Sequence, residues 1–572
     1  MNDFKKFYET ALEQLTTQPG SPFEIGRRDI NGVSYKVFLN APGDIPALIA
    51  PAREFGDQEF LVYEGERWSF ADFFEQVDRL AYLLREKYGA KKSMRIAIAM
   101  RNYPEWMSCW LAVVSTGAVV VPINSLGSAE ELHFNLQDSG AELVFCDQRR
   151  YDLLDANNSS IKAVVARPER EIAGNGHIAL QALLDSAPAA ASLPAHEHDI
   201  AAEDDAMIMY TSGTSGKPKG AVFTHHSCCQ AIINLDLVGA VSYMTNEALF
   251  NKHFEKKLPM KSLLTVPLFH VSGLYSQFPP NLRGGRTLVM MYKWNSQVAC
   301  ELIEKERIAN VVAAPSMLLE LMECPAFDNI DVGSIMNISG GGAATPERLS
   351  KLRRDKTPDA MAGAGWGMTE TGGSGASFTG AVARAKPLAS GFVHAIVELI
   401  FRDEDGNEVA PGEPGEIWIK TPAGFSGYWN RPEENASEFI DGWFKSGDIG
   451  YLDEDGCINI CDRAKDMVIR KGENIYPIEI ENCILSMPGV EAVTAFAVPS
   501  ESMGEELAVV VKCPSDAGVG DIDEASVQQH CAKHLAAFKV PSFVKLTNQP
   551  FPLNASDKVI KRQVRDQYFP VS

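Results

Sequence analysis

Short apolar strands alternate with helical stretches through the first two thirds of this chain. RIAIAM (Arg95 to Met100) precedes a buried-helix pattern, WMSCWLAVV, then Gly117 and the β-branched run ending at Pro122. ELVFCD (Glu142 to Asp147) and IKAVVA (Ile161 to Ala166) follow as further strands. Strands joined through helices pair in parallel, with helices on both faces and ligands beyond the strands' C-terminal ends. Phe60 to Phe70 reads as a hairpin turning at Glu64-Gly65, and Ser69 with Asp72 starts a helix whose apolar face is Phe70, Phe74, Val77, Ala81 and Leu84. From about Ala385 the pattern becomes short strands and turns. The charged stretch DRAKD (462–466) carries no apolar anchor larger than alanine and suits a hinge. A chain of 572 residues exceeds one compact core. The expected α/β organisation is an N-terminal extension (1–50), a large domain of mixed and parallel sheets flanked by helices with a β-rich subdomain (51–461), the hinge, and a small α+β domain (467–572).

Between apolar runs lies YTSGTSGKPKGAVFTH, Tyr210 to His225. Thr211, Ser212, Gly213, Thr214, Ser215, Gly216, Lys217, Pro218 and Lys219 combine small hydroxyl residues, glycines and two lysines. Few Cβ atoms keep backbone N–H groups apart there, so they can crowd an anion, and the lysines add positive charge. The stretch reads as a phosphate cradle. The nucleoside-triphosphatase motif fails, because Pro218 stands where Ser or Thr should hold the metal. Two later strand ends are glycine-rich: Gly340, Gly341 and Gly342, then Gly365, Trp366, Gly367, Met368, Thr369 and Glu370. Such ends let backbone lie against a bulky ligand.

A formal charge of −22 argues against nucleic acid as a partner but leaves room for a nucleotide at a local basic loop. The eleven cysteines follow no disulfide framework, and the Cys457–Cys461 pair has no second pair or nearby HxxxH to complete a zinc site. Reduced thiols and the lack of an apolar signal core point to the cytoplasm. No stretch reads as a membrane span. Phe4, Tyr8, Leu12 and Leu15 share one helical face, which packs on the protein body or at most skims a membrane.

Taken as an ordered set, these motifs resemble the adenylate-forming (AMP-binding) superfamily, in its acyl-CoA synthetase branch. YTSGTSGKPKG resembles the family's phosphate loop, GWGMTE its adenine and magnesium motif, and KSGDIG (Lys445 to Gly450) its ribose motif. DRAKDMVIRKGENIYPIEIE resembles the hinge and second-half loop, and NASDKVIKR the segment of the catalytic lysine. The resemblance implies that a carboxylic acid attacks the α-phosphate of MgATP, and that the thiol of coenzyme A then takes the acyl group. It assigns Thr211 to Lys219 to the β- and γ-phosphates, Thr211 and Glu370 to Mg²⁺, and Trp366 with Gly340 to Gly342 to adenine. Asp448 and Arg463 would hold the ribose, and Lys558 would reach carboxylate and α-phosphate. His270 would gate the adenylate and acyl pockets. In the second step the small domain swings about Lys465, bringing Lys471, Gly472 and Glu473 to the pantetheine arm, with Arg470 and Lys471 as phosphate contacts. Substrates would be small molecules only, and the enzyme a monomer or homodimer.

Three positions depart from the family pattern: Asp557 and Asp462 stand for usual glycines, and Met503 for an arginine of some CoA-using members. The acyl pocket is expected along His270 to Leu274, Pro315 to Leu318, Ser339 to Gly342 and Gly363 to Trp366. Its many Gly, Ala and Ser residues suit a medium-chain, long-chain or bulky hydrophobic acid. An aryl acid, a luciferase-like or acyl-AMP ligase chemistry without CoA, and a catalytically silent nucleotide sensor are the alternatives; retained Glu370, Asp448, Arg463 and Lys558 speak against the last.

Overall fold

The computed structural model describes residues 2–154, 161–172, 174, 176–193, 199–211, 218–341, 345–387, 389–471, 473–500, 503–514, 522–553 and 559–570. Within them, one sheet has the strand order Gly427–Tyr428, Lys219–Thr224, Asp205–Thr211, Val119–Pro122, Arg95–Ala99, Leu143–Asp147, Lys162–Ala166, Ile178–Ala179. Its central strands pair in parallel, as the alternation predicts. Their side chains divide strictly by parity. Ile96, Ile98, Val120 and Phe145 join the core built with helices Phe70–Tyr88 and Pro104–Val114. Ala97, Ala99, Val121 and Val144 face helix Ala129–Ser139 through Leu132 and Leu136. Burial on both faces is why these strands read as unbroken apolar runs.

The second large sheet has a parallel core, in the order Met361–Trp366, Asn337–Gly340, Asn310–Ala313, Lys261–Leu264, Thr287–Met290, Glu59–Tyr63. The last strand turns through Glu64 and Gly65, both at positive φ, into Glu66–Ser69. Ser69 and Asp72 then cap the helix reciprocally, as expected. At the other edge Ala376–Thr379 turns back antiparallel on Met361–Trp366, and Gly391–Val393, Cys457–Arg463, Trp443–Leu452, Gly415–Lys420 and Glu398–Arg402 extend the same sheet in that order. The β-rich region is therefore continuous with the parallel core and rigidly joined to the strand carrying Trp366.

Helix His225–Thr245 has the length and apolarity to cross a membrane, which the sequence reading did not credit to any stretch. It serves as a core helix here: His225 to Asn234 are all buried. Helix Asn2–Thr16 lies on the body, with Ala11 buried and the Tyr8 ring stacked 4.4 Å from Phe392. Phe4 and Phe7 stay exposed. The C-terminal domain pairs Ala492–Ser500, Gly504–Lys512, Val468–Arg470 and Glu473–Ile475 antiparallel, with Phe543–Thr547 added in parallel. Helices Pro477–Leu485 and Glu524–His534 cover one face through Ile480, Ile484, Val527 and Cys531.

Candidate active site

Four neighbouring parallel strands, Lys261–Leu264, Asn310–Ala313, Asn337–Gly340 and Met361–Trp366, end on one edge. Just beyond those ends lie His270, Pro315, Gly341 and Trp366, so an open crevice gathers residues up to a hundred positions apart. The strand before His270 is shorter than its apolar sequence suggests. Asn102 interrupts it, donating to Val266 O and accepting from Leu268 N, both at 2.9 Å. His270 then starts helix Val271–Arg283, and a Cβ on Gly273 would run into Pro267 O. The Phe269 ring lies 4.3 Å from the imidazole. Gly340 and Gly341 differ in kind. A Cβ on Gly340 would press on Arg353 at 3.1 Å, a packing demand, whereas one on Gly341 meets only Gly365 O at 3.9 Å. Gly342 lies outside the described residues.

The strands on either side of the expected phosphate loop pair antiparallel, with Thr211 directly opposite Lys219. Ser212, Gly213, Thr214, Ser215, Gly216 and Lys217 lie outside the described residues; Pro218 immediately precedes the return strand. The hairpin base is tied down by Asp138, which accepts from Tyr210 Oη (2.8 Å) and Trp429 Nε1 (3.1 Å, at its carbonyl) and pairs with Arg431 (2.8 Å). The Lys219 ammonium sits 4.8 Å above the Tyr428 ring. Tyr428 Oη in turn donates to Glu370 Oε1 at 2.8 Å. Glu370 thus reaches the Thr211–Lys219 rung through one aromatic side chain, which places both expected magnesium residues at the same end of the crevice.

Burial raises the pKa of Glu370, while the Tyr428 hydroxyl pulls it down. A carboxylate set among few other donors is stabilised by a nearby cation, so Glu370 with the Thr211 hydroxyl fits a hard divalent ion that takes few protein oxygens. The turn carrying Met368, Thr369 and Glu370 is fixed from below. His394 is buried, its pKa pushed down to about 4 by burial, so the ring is neutral. Its Nδ1 accepts from Gly375 N (3.2 Å) and faces Asn234 Nδ2 (2.9 Å), which leaves Nε2–H to meet Ser377 Oγ (2.8 Å). Gly367 is required: a Cβ there would lie 2.7 Å from Gly373 O.

Nearby, Trp366 Nε1 donates to Asp448 Oδ2 at 2.7 Å, and Arg463 Nε pairs with Asp448 Oδ1 at 2.6 Å. Asp448 and Arg463 are directly opposed across adjoining antiparallel strands. Asp448 is buried and Arg463 reaches solvent, so the pair presents one fixed acceptor and one exposed fork of donors.

A family model described as "AMP-binding enzyme" matches residues 49–429, and one for the "AMP-binding enzyme C-terminal domain" matches residues 479–558. The chain belongs to the AMP-binding enzyme family. It is 33% identical to a long-chain-fatty-acid–CoA ligase, FadD13, of Mycobacterium tuberculosis, over 88% of this chain and 93% of that protein. It is 31% identical to a feruloyl-CoA synthase of an Amycolatopsis species, over 88% and 94%. The structure of ATP-bound MatB from Rhodopseudomonas palustris superimposes with a TM-score of 0.77 at 26% identity, covering 91% of this chain and 98% of that one. This AMP-binding enzyme is an acid–thiol ligase of the acyl-CoA synthetase branch.

In the C-terminal domain of this AMP-binding enzyme, Lys471 and Glu473 lie exposed at a tight turn between two strands. Gly472 is outside the described residues. Arg470 does not share that turn's freedom. It pairs with Glu506 at 2.8 Å and donates to Phe538 O at 3.0 Å, which leaves Lys471 as the one of the two turned outward. Lys558 lies outside the described residues, just before Val559, which bridges to Leu553. Lys561 is tied in: burial lowers its pKa, but Glu481 (2.9 Å) and Asp462 outweigh that and raise it. Asp462 is the penultimate residue of the strand Cys457–Arg463, before the turn Ala464–Asp466 where the hinge is expected, and accepts from Ile478 N at 2.9 Å, at the start of helix Pro477–Leu485. Burial pushes its carboxyl up to about 6. Sequence reasoning missed Tyr428, Asp138, His394 and Asn102. Each acts through a partner far along the chain, and Tyr428 sits in GFSGYWN without a charged neighbour to draw notice.

Proposed function

We propose that the enzyme activates a hydrophobic carboxylic acid, medium-chain, long-chain or bulky, as its acyl-adenylate and transfers the acyl group to coenzyme A. In the first step a carboxylate oxygen forms a bond to the α-phosphorus and pyrophosphate leaves. In the second the CoA thiol attacks the acyl carbon, its proton passes to solvent, and AMP leaves carrying the former carboxylate oxygen. The linked set Lys219, Tyr428 and Glu370, with the set Trp366, Asp448 and Arg463 near it, supports a nucleoside triphosphate held at phosphate and ribose ends. Mg²⁺, held by Glu370 and Thr211, would supply positive charge against the phosphates. Lys558 would carry a mobile charge to carboxylate and α-phosphate.

One observation carries the acid assignment. Gly363 and Gly365 stand opposite Ser339 and Ser377 in adjoining strands, forming a floor of small residues across the sheet. The strand Ala376–Thr379 also borders an apolar surface groove lined by Val238, Val241, Phe378, Phe392, Phe4 and Tyr8. Small uncharged residues beside an apolar groove suit a hydrocarbon tail or fused rings. The relatives act, by their names, on long-chain fatty acids and ferulic acid, which are of this kind. Pyrophosphate release with ATP and a panel from acetate to palmitate and aryl acids, with and without CoA, tests the reading. Release and thioester formation should favour the hydrophobic acids. Preference for acetate would overturn the acid assignment; acid-dependent release without thioester would overturn the CoA step.

A further inference from the structure

The C-terminal domain holds a side-chain cluster that adenylation does not use. Helix Pro477–Leu485 packs on helix Glu524–His534, and at the end of that seam Cys483 meets His530 and His534. The Cys483 thiol and one ring nitrogen of each histidine all lie within 4.8 Å of one another. His530 and His534 are four residues apart, hence on one helical face, with ring centroids 4.4 Å apart. Cys483 comes from the facing helix.

The hydrogen bonds fix both tautomers. His534 Nδ1 lies 2.9 Å from His530 O, so that nitrogen carries the proton and the lone pair is on Nε2. His530 Nε2 lies 3.1 Å from Cys483 O, so it donates there and the lone pair is on Nδ1. A carbonyl orienting one imidazole nitrogen while the other is left to bind is the pattern of histidines that ligate metals.

We propose that Cys483, His530 and His534 bind a borderline-soft transition metal of the Zn²⁺ class, with water in the fourth position. One thiolate and two imidazoles suit such an ion and not Mg²⁺ or Ca²⁺, which take oxygen. Metal–ligand bonds of about 2.0–2.3 Å set tetrahedral donors roughly 3.3–3.8 Å apart, so the donors close by about 1 Å. The exposed His534 supplies that movement and the entry path. On binding, the Cys483 thiol proton leaves to solvent as the sulfur–metal bond forms, with no change of oxidation state. The ion then ties the first helix after the hinge to a helix some fifty residues on, clamping the moving domain.

Titration of the full-length, metal-stripped enzyme with Co²⁺ tests this. One equivalent should give the visible bands of tetrahedral cobalt and a thiolate-to-metal band in the near ultraviolet, both bleached by Zn²⁺. Cys483→Ser should lose the ultraviolet band, His534→Asn should lose the whole spectrum, and Cys461→Ser should titrate like the wild type. Zn²⁺ should also raise the thermal midpoint of the wild type and leave that of His534→Asn unmoved. A wild type without the tetrahedral spectrum, variants that titrate alike, or equal thermal shifts would overturn the site.

Discussion

Replacing Tyr428 with phenylalanine removes one hydroxyl and leaves the ring beneath Lys219 in place. The hydroxyl donates at 2.8 Å to Glu370, whose carboxylate is already held above its ordinary pKa by burial. A hydrogen bond to a charged acceptor contributes about 1.5–3 kcal/mol, and an unmatched acceptor in a desolvated setting loses all of it. If that ionised carboxylate is needed as charge builds on the phosphates, the loss corresponds to about 10- to 160-fold in kcat/KM. The pH profile gives an independent sign. Without the hydroxyl, burial is opposed only by a backbone hydrogen bond and Arg463, so the Glu370 pKa rises further and the acidic limb of activity moves to higher pH. Acid-dependent ATP–pyrophosphate exchange, followed across that limb, reads both effects. A double-mutant cycle with Glu370→Gln should be strongly non-additive, since the two side chains act as one unit. Wild-type exchange with an unmoved limb, or additive losses, would refute the coupling.

Gly363→Ala would place a methyl against Ser339 Oγ and 3.0 Å from Thr379 Cγ2, so bulky acids should lose kcat/KM while the KM for ATP stays unchanged; equal loss for all acids contradicts the floor assignment. Asp462→Asn keeps an acceptor for Ile478 N but removes a buried charge. Because the native carboxyl titrates at about 6, above its unfolded value, the folded chain holds a proton that the unfolded chain has released. Stability therefore falls as pH rises through that window, and the variant should gain progressively, reaching at most about 3 kcal/mol above it. Calorimetry that shows parallel curves at all pH values contradicts this. Lys558→Ala should slow adenylation far more than thioester formation from preformed acyl-adenylate; equal loss in both half-reactions contradicts the domain swing.

Elements set by local rules were legible in the chain. The alternating runs from Arg95 to Ala166, the Ser69–Asp72 cap and the Glu64-Gly65 turn all form as read, because neighbouring residues determine them. Trp366, Asp448 and Arg463 were legible only as members of a motif set, yet the fold hydrogen-bonds them to one another. Tyr428 and Glu370 are 58 residues apart, and no local pattern marks a tyrosine whose acceptor arrives from another strand. The same limit hid Asn102, which ends a strand 164 positions away. Lys561 and Arg470 show the same limit, since their partners Glu481 and Glu506 come from elsewhere in the chain. The HxxxH at His530 and His534 was visible, but its cysteine lies on another helix.

Oxygen transfer tests the adenylate most directly. The enzyme, ATP and CoA are incubated with a hydrophobic acid labelled with ¹⁸O in its carboxylate, and the products are weighed by mass spectrometry. Attack of the carboxylate on the α-phosphorus requires that each AMP released by the thiol carries one ¹⁸O, with pyrophosphate unlabelled. Label in inorganic phosphate, with ADP as co-product, would mean activation at the γ-phosphate and would contradict the account.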